Sequence, residues 1–422
     1  MKYIQKPAEY AFFTLLILLL LGWGFWEGIA PFQRSFDLII FAVSISTFGA
    51  VYSNLTFSIT TLFATLLLWN EVYRGDKLEP LDQGERVEAV IPVYQDHEVL
   101  ANSINSLKNS DYSNLGINVI CEPDDEKSIE EAENLDCNVL INQHPGSKAG
   151  AINTAFEELD AEYFALFDAD EKVDSQFIGI AMAYMNQGYE VFQGRRVPIP
   201  SGGIEKFSYC ERAVFHMAYK IQELTGFVHA KSSSTVLTKT AWEKVNGYDD
   251  MLTEDIDFGQ KCFRYGLKVK SNRSVTNKME APHSFRDFWG QRKRWSIGTV
   301  EILHKGLRRG YGQSSIPREV FATCRSLVST IIPIMLIVFF ANFLVLVISG
   351  IELFFTIPIL VTALPALILS YRDFRDKEIG FIGLYSLTSF LVVFISGLIL
   401  LKSVLEYIFS WSGEWYRVEK GD

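Results

Sequence analysis

Three groups of residues in this chain have types and spacings suited to chemistry. Asp168 and Asp170 stand one residue apart after the apolar run Phe164-Ala-Leu-Phe167, which reads as a strand ending in an acidic turn. Paired carboxylates of this kind suit a divalent cation, and such a cation offsets the negative charge that develops on a departing diphosphate. Thr253-Glu254-Asp255 opens a helical pattern that runs to about Tyr265 and stops at Gly266. Thr253 is placed to cap that helix, and acids in a first turn favour the positive end of the helix dipole. The same position suits Asp255, with Glu254 beside it, to general-base work on a hydroxyl.

The third group is Gln291-Arg-Lys-Arg-Trp295. It follows Phe285, Phe288 and Trp289 and precedes Ile297, Val300, Ile302 and Leu303, the pattern of an amphipathic helix entered through the loop Glu280-Ala-Pro282. One reading is an interfacial helix drawn to anionic lipid. The other gives Arg292 and Arg294 to pyrophosphate oxygens and Trp295, with Gln291, to an acceptor sugar stacked on the indole face. Weaker signals accompany these. Gly146-Ser-Lys-Ala-Gly150 offers Lys148 to a phosphate or to the uracil side of a nucleotide, or is simply a helix start with small residues. Tyr94 and Asp125 are candidates for contacts to nucleotide base and ribose. His229-Ala-Lys-Ser-Ser-Ser-Thr235 reads as an acceptor-binding loop or as an exposed linker.

A frame must hold these groups. Val87 to Val93, Ile117 to Ile120, Val139 to Ile141 and Tyr163 to Phe167 read as strands, and helical patterns alternate with them. Alternation of this kind implies an α/β fold with a largely parallel sheet covered on both faces. Ligands of such sheets collect at the carboxyl ends of the strands, where the motifs lie.

The chain is 49% hydrophobic and 14% aromatic, with a mean hydropathy of +0.13, which is too apolar for a purely soluble protein. Tyr10 to Ile29 is long enough to cross a hydrocarbon core of about 30 Å. An anchor explains it better than a secretory signal, because a second apolar segment, Leu38 to Trp69, follows at once. A helix over that segment's roughly 32 residues would be about 48 Å long, so it must tilt, protrude or break. Leu327 to Ser349, Phe354 to Leu369 and Ile379 to Leu401 are three further candidate spans. The expected division is therefore a membrane hairpin over 1–75, a catalytic domain over 85–285, an interface helix over 286–315, a membrane region over 323–410 and a tail over 411–422. Lys2, Lys6, Arg74 and Lys77 flank the hairpin and place the catalytic domain on the cytoplasmic side of the cell membrane. Three C-terminal spans leave the tail outside; two spans and an interface helix leave it inside. A net charge of −11 speaks against a nucleic-acid partner. The five cysteines show no paired spacing and read as buried reduced thiols.

Taken together, Val90-Ile-Pro-Val-Tyr94, Asp125, the segment from Gly146 to Asn153, Asp168-Ala-Asp170, Thr253-Glu-Asp255 and Gln291-Arg-Lys-Arg-Trp295 resemble the family 2 membrane glycosyltransferases, which include cellulose, hyaluronan and chitin synthases. The likeness covers roughly Val87 to Leu303 and the flanking spans. It implies a GT-A domain inserted between transmembrane helices, Mg²⁺ or Mn²⁺ at Asp170 with Asp168 near the nucleotide, Asp255 as the base, and inversion to a β-linked product. Expected partners are a nucleotide diphosphate sugar, a UDP-sugar above others, a glycan or lipid-linked acceptor, and membrane lipid. Gln95-Asp96 stands where the family often has Asn-Glu, and the serine run replaces the usual small-residue acceptor motif. Processive polysaccharide synthesis is the leading expectation because Trp295 accompanies the box. Single addition to a lipid-linked oligosaccharide is the alternative within the enzyme class. An inactive scaffold or translocation subunit is the alternative outside it, and retention of Asp168, Asp170 and Asp255 argues against that.

Overall fold

The computed structural model describes residues 39–74, 78–308, 310–311, 315–376 and 378–410, together with Leu15, Leu18, Leu19 and Gly22. Apart from those four positions, the expected span Tyr10 to Ile29 lies outside the described residues, as does the tail over 411–422. In chain order the elements are α1 (Ile39–Arg74), β1 (Val87–Val93), α2 (His97–Lys108), β2 (Leu115–Cys121), α3 (Glu126–Asn134), β3 (Asn138–Ile141), α4 (Lys148–Glu158), β4 (Tyr163–Leu166) and α5 (Phe177–Met185). There follow β5 (Val191–Pro198), α6 (Gly203–Glu223), β6 (Thr235–Thr238), α7 (Lys239–Lys244), α8 (Glu254–Tyr265), β7 (Val269–Met279) and α9 (Phe285–Leu307). The last are α10 (Ile316–Ile348), α11 (Glu352–Arg375), a short 3-10 turn (Gly383–Thr388) and α12 (Ser389–Phe409).

The strands form one seven-stranded sheet in the order β3-β2-β1-β4-β6-β5-β7. β1 pairs in parallel with β2 and β4, β2 with β3, and β5 with β7; β6 runs antiparallel to both β4 and β5. The expected mixed, largely parallel sheet is therefore present. β1 shows why it is covered on both sides. Val87, Ala89, Ile91 and Val93 enter one apolar layer with Val99, Leu100 and Ile104 of α2 and Phe177 of α5. Val90 enters the other with Ile152 and Phe156 of α4 and Phe258 and Cys262 of α8. Period-2 alternation with apolar residues on both faces makes a strand buried on both sides.

Among the described residues, four helical segments are long and apolar enough to cross a membrane: Thr47–Arg74, Ile316–Ile348, Glu352–Arg375 and Gly383–Phe409. The second apolar segment is one continuous helix, and it runs beyond Trp69 to Arg74. α10 and α11 also begin before and end near or beyond the expected apolar runs, because their polar ends pack on the domain that holds the sheet. Asp373 of α11 pairs with Arg195 of β5 through two contacts of 2.7 Å, and Tyr209 of α6 donates to the same carboxylate. Glu71 of α1 pairs with Arg273 of β7 at 2.7 Å and with Lys220 of α6 at 2.8 Å. The last expected span, Ile379 to Leu401, is interrupted by the 3-10 turn before α12. All five cysteines are free; Cys121, Cys210 and Cys262 are buried as expected, Cys137 is half-buried, and Cys324 is exposed.

Candidate active site

The site is built at the carboxyl ends of β1 to β4. Tyr94 follows β1 and is exposed. Gln95 has a left-handed backbone, φ 56°, held because its N–H donates to Asp125 Oδ2 at 2.5 Å. The other oxygen of Asp125 accepts from the Ser128 N–H at the start of α3. Ser147 caps α4, accepting from the Gly150 N–H at 3.1 Å, so Lys148 sits at the first turn of that helix. Lys148 Nζ reaches Asp168 and lies 3.9 Å from Glu254. Burial opposes its charge, but Asp168 and Glu254 outweigh burial and raise its pKa.

Asp168 and Asp170 occupy the turn after β4, with Asp170 buried. The second oxygen of Asp168 pairs with Arg196 of β5 at 2.5 Å. Glu171, the next acid along, has no exposed surface. It accepts from Ser234 and from Asn277 Nδ2 at 2.8 Å, and from the Asp168 N–H at 3.2 Å, which closes the turn. Burial raises its pKa, and Arg196 acts against that.

The serine run is not an exposed linker. Ser232, Ser233 and Ser234 are all buried, and each has a separate duty. Ser232 donates to Glu254 Oε1 at 2.8 Å, Ser233 accepts from Arg196, and Ser234 donates to Glu171. These hydroxyls satisfy charged groups, two carboxylates and a guanidinium, that burial would otherwise penalise.

α8 starts at Glu254 and ends at Gly266, φ 69°, as the sequence predicts. Thr253 holds the N-cap position but makes no side-chain capping bond. Its side chain packs instead on α9, where a Cβ added at Gly298 would lie 2.3 Å from the Thr253 hydroxyl. Glu254 is buried, and its pKa is raised by burial, against Lys148. Asp255 is half-buried, and its Oδ1 accepts from the Ile256 N–H at 2.8 Å. It acts electrostatically on Arg196, Lys231 and Tyr219.

In α9, Arg292 is buried and donates through Nε to Glu211 of α6 at 2.7 Å and through Nη1 to Gln291. Its guanidinium lies 4.3 Å from the Phe288 ring centre and 4.5 Å from that of Trp295. Pairing of Arg292 with pyrophosphate therefore requires the Glu211 pair to open. Arg294 Nη1 donates to the Leu252 carbonyl at 3.4 Å and braces the segment before Thr253. Trp295 is half-buried, with Arg212 4.7 Å from its ring centre.

Among the described residues no group of three or more His, Cys, Asp or Glu side chains is placed to hold a metal. With Glu171 tied to Ser234 and Asn277, the turn offers Asp168 and Asp170. Two carboxylates fit Mg²⁺ or Mn²⁺ that completes its shell with substrate phosphates and water. The structure adds Glu171, Arg196, Glu211 and Arg212 to the residues read from the sequence, and within the run His229 to Thr235 it distinguishes Lys231. Glu171 directly follows the Asp-x-Asp pair, and Arg195-Arg196 follows the apolar Val191-Phe192, so a strand assigned there, with alternate side chains on opposite faces, would have brought one arginine, Arg196, to the site.

Comparison with known proteins bears on this arrangement. Residues 163–371 match the family model described as glycosyl transferase family group 2. That stretch includes both acidic motifs and the Gln-x-x-Arg-Trp box. The chain is 24% identical over 235 residues to a poly-beta-1,6-N-acetyl-D-glucosamine synthase of Staphylococcus epidermidis, covering 52% of this chain and 56% of the relative. It is 25% identical over 237 residues to the synthase of the same description from Staphylococcus aureus, covering 53% and 57%. The chain thus spans little more than half the length of these relatives. Among solved structures, the mannosyltransferase PcManGT of Pyrobaculum calidifontis, in complex with GDP-Man and Mn²⁺, is similar with a TM-score of 0.54 and 14% identity, covering 83% of this chain and 99% of that one. At that identity the likeness concerns the fold.

Proposed function

We propose that this protein is a membrane-embedded, inverting glycosyltransferase that moves a sugar from a nucleotide diphosphate donor, a UDP-sugar above others, to a growing β-linked glycan. The observation that carries the reading is the meeting of Lys148, Asp168, Arg196, Glu254 and Asp255 at the carboxyl edge of the sheet, all but Lys148 within a stretch that matches a glycosyltransferase family. The similarity to polysaccharide synthases supports a polymer as product.

Tyr94 and Asp125 contact the nucleoside, and Lys148 faces the diphosphate. Asp168 and Asp170 would hold Mg²⁺ or Mn²⁺, which supplies charge neutralisation at the departing diphosphate. Asp255 accepts the proton of the acceptor hydroxyl, whose oxygen attacks the anomeric carbon opposite the leaving group and inverts it. Glu254 stays with Lys148 and Ser232 and positions its neighbour. Gln291 and Trp295 receive the acceptor sugar, while Arg292 and Arg294 hold the box against α6 and the Leu252 carbonyl; phosphate contact by these arginines follows opening of their present bonds. The catalytic domain faces the cytoplasm, where nucleotide sugars are made.

The test is product size. Full-length protein in lipid is given Mn²⁺, Mg²⁺ and a panel of radiolabelled UDP-sugars and GDP-mannose. A long ladder from one donor is expected; one added sugar on co-purified lipid gives the single-addition reading, and no nucleotide release from any donor overturns the proposal.

A further inference from the structure

Between α6 and the segment leading into β6 lie two cations that the reaction above does not use. The other buried arginines nearby have carboxylates: Arg196 has Asp168, Arg292 has Glu211, and Arg273 has Glu71 and Glu223. Among the described residues, neither Arg212 nor Lys231 has a carboxylate within ion-pair distance. They lie over rings instead, Arg212 at 4.7 Å from the centre of Trp295 and Lys231 Nζ at 5.7 Å from that of Tyr219. The backbone fixes where Lys231 starts: its N–H donates to Gln193 Oε1 at 2.8 Å, and its carbonyl accepts from the Tyr248 hydroxyl at 3.1 Å.

The charge of this region is out of balance. Burial and Arg212 push Lys231 down to about 7, against Asp255. Burial and Arg292 push Arg212 down to about 10. Burial, and then the surrounding cations, hold His216 and His229 in the neutral form. Half-buried cations that repel one another favour an anion between them. The donor diphosphate has its own cations on the Asp168 side, Lys148 and Arg196. Arg212 lies over Trp295 and Lys231 is acted on by Asp255, while Arg196 adds its repulsion to both cations.

Resting on the function proposed above, we infer that the acceptor carries an acidic group, a carboxylate or a phosphate, which Arg212 and Lys231 receive while Asp255 faces the attacking hydroxyl. The group is borne on the terminal sugar or on a lipid headgroup. A charge-assisted pair in such a site is worth about tenfold or more in affinity.

The experiment uses full-length protein in lipid with the donor found active, and measures both slow donor hydrolysis and transfer. Acceptors are glucose, glucuronic acid, glucose 6-phosphate and a lysophosphatidylglycerol, whose headgroup carries free hydroxyls beside its phosphate. An acidic acceptor is expected to show a KM at least about tenfold below that of glucose, and Lys231→Met and Arg212→Met to remove that advantage while the KM for donor stays within about twofold. Preference for the sugar acids or for the lipid phosphate identifies the source of the anion. Retained donor hydrolysis in the variants shows that they fold, and Lys244→Ala, an exposed cation paired with Glu190 at 3.4 Å, controls for loss of charge. Equal use of glucose and the acids by an enzyme that hydrolyses donor overturns this inference alone. Loss of donor affinity in both variants overturns it in favour of a donor role. Absence of hydrolysis with every donor overturns the glycosyltransferase reading itself.

Discussion

At Glu301, on α9, burial raises the carboxyl to about 7, against a hydrogen bond from the Leu252 N–H at 3.4 Å. Folding therefore favours its neutral form. That contribution to stability is complete below the usual carboxylate value of 4.5 and is lost as pH rises through about 7. The melting temperature of the wild type should fall relative to that of Glu301→Gln between pH 5 and pH 8; parallel curves would remove Glu301 from this role. Residue-scale chemistry was partly legible in the sequence. Asp168, Asp170 and Asp255 could be singled out because each opens or ends an element with a clear apolar pattern. Arg196, Arg212 and Lys231 could not, because what distinguishes them is the partner across space. Thr253 shows the same limit. Its position predicts a cap, but contact with Gly298 turns its side chain to packing.

At the scale of elements, α9 sets the position of the α8 start through that contact and through the bonds of Arg294 and Glu301 to Leu252. A side chain at Gly298 meets the Thr253 hydroxyl and methyl at 2.3 and 2.4 Å. Gly298→Val should displace Thr253-Glu-Asp255 and lower turnover at least about tenfold with little change in donor affinity, since small displacements of reacting groups cost heavily in rate. Steady-state kinetics with the donor found active checks this, and unchanged turnover would show that α9 does not position the motif. A similar close approach joins α10 and α12, where a Cβ at Gly397 would lie 2.4 Å from the Pro333 carbonyl. Small residues let helices approach in this way in membranes, and Gly397→Leu should lower the melting temperature in lipid. β1, β2, β3 and β4 were readable as apolar runs. β5 and β7 were not, because Gln193, Arg195, Asn272, Arg273 and Asn277 interrupt the runs and are buried only with their partners.

At the scale of the whole molecule, the sheet domain and the long helices are joined by buried ion pairs. Arg195 and Asp373 are 178 residues apart in sequence and almost without exposed surface. Removing one partner strands a buried charge, so Asp373→Ala should cost about 3–5 kcal/mol. Denaturation in lipid measures that loss, and an unaltered stability would show that the pair does not bind the two parts together. No periodicity reports such a pairing, which is why the sequence showed two kinds of region and not how they meet.

The central claim is that Asp255 is the base of a glycosyl transfer. Its most direct test compares the full-length wild type with Asp255→Asn in lipid, following nucleotide release with acceptor present and donor affinity by binding. The account predicts nearly unchanged donor binding and turnover lowered by at least about a hundredfold. Equal turnover of the two proteins would contradict it.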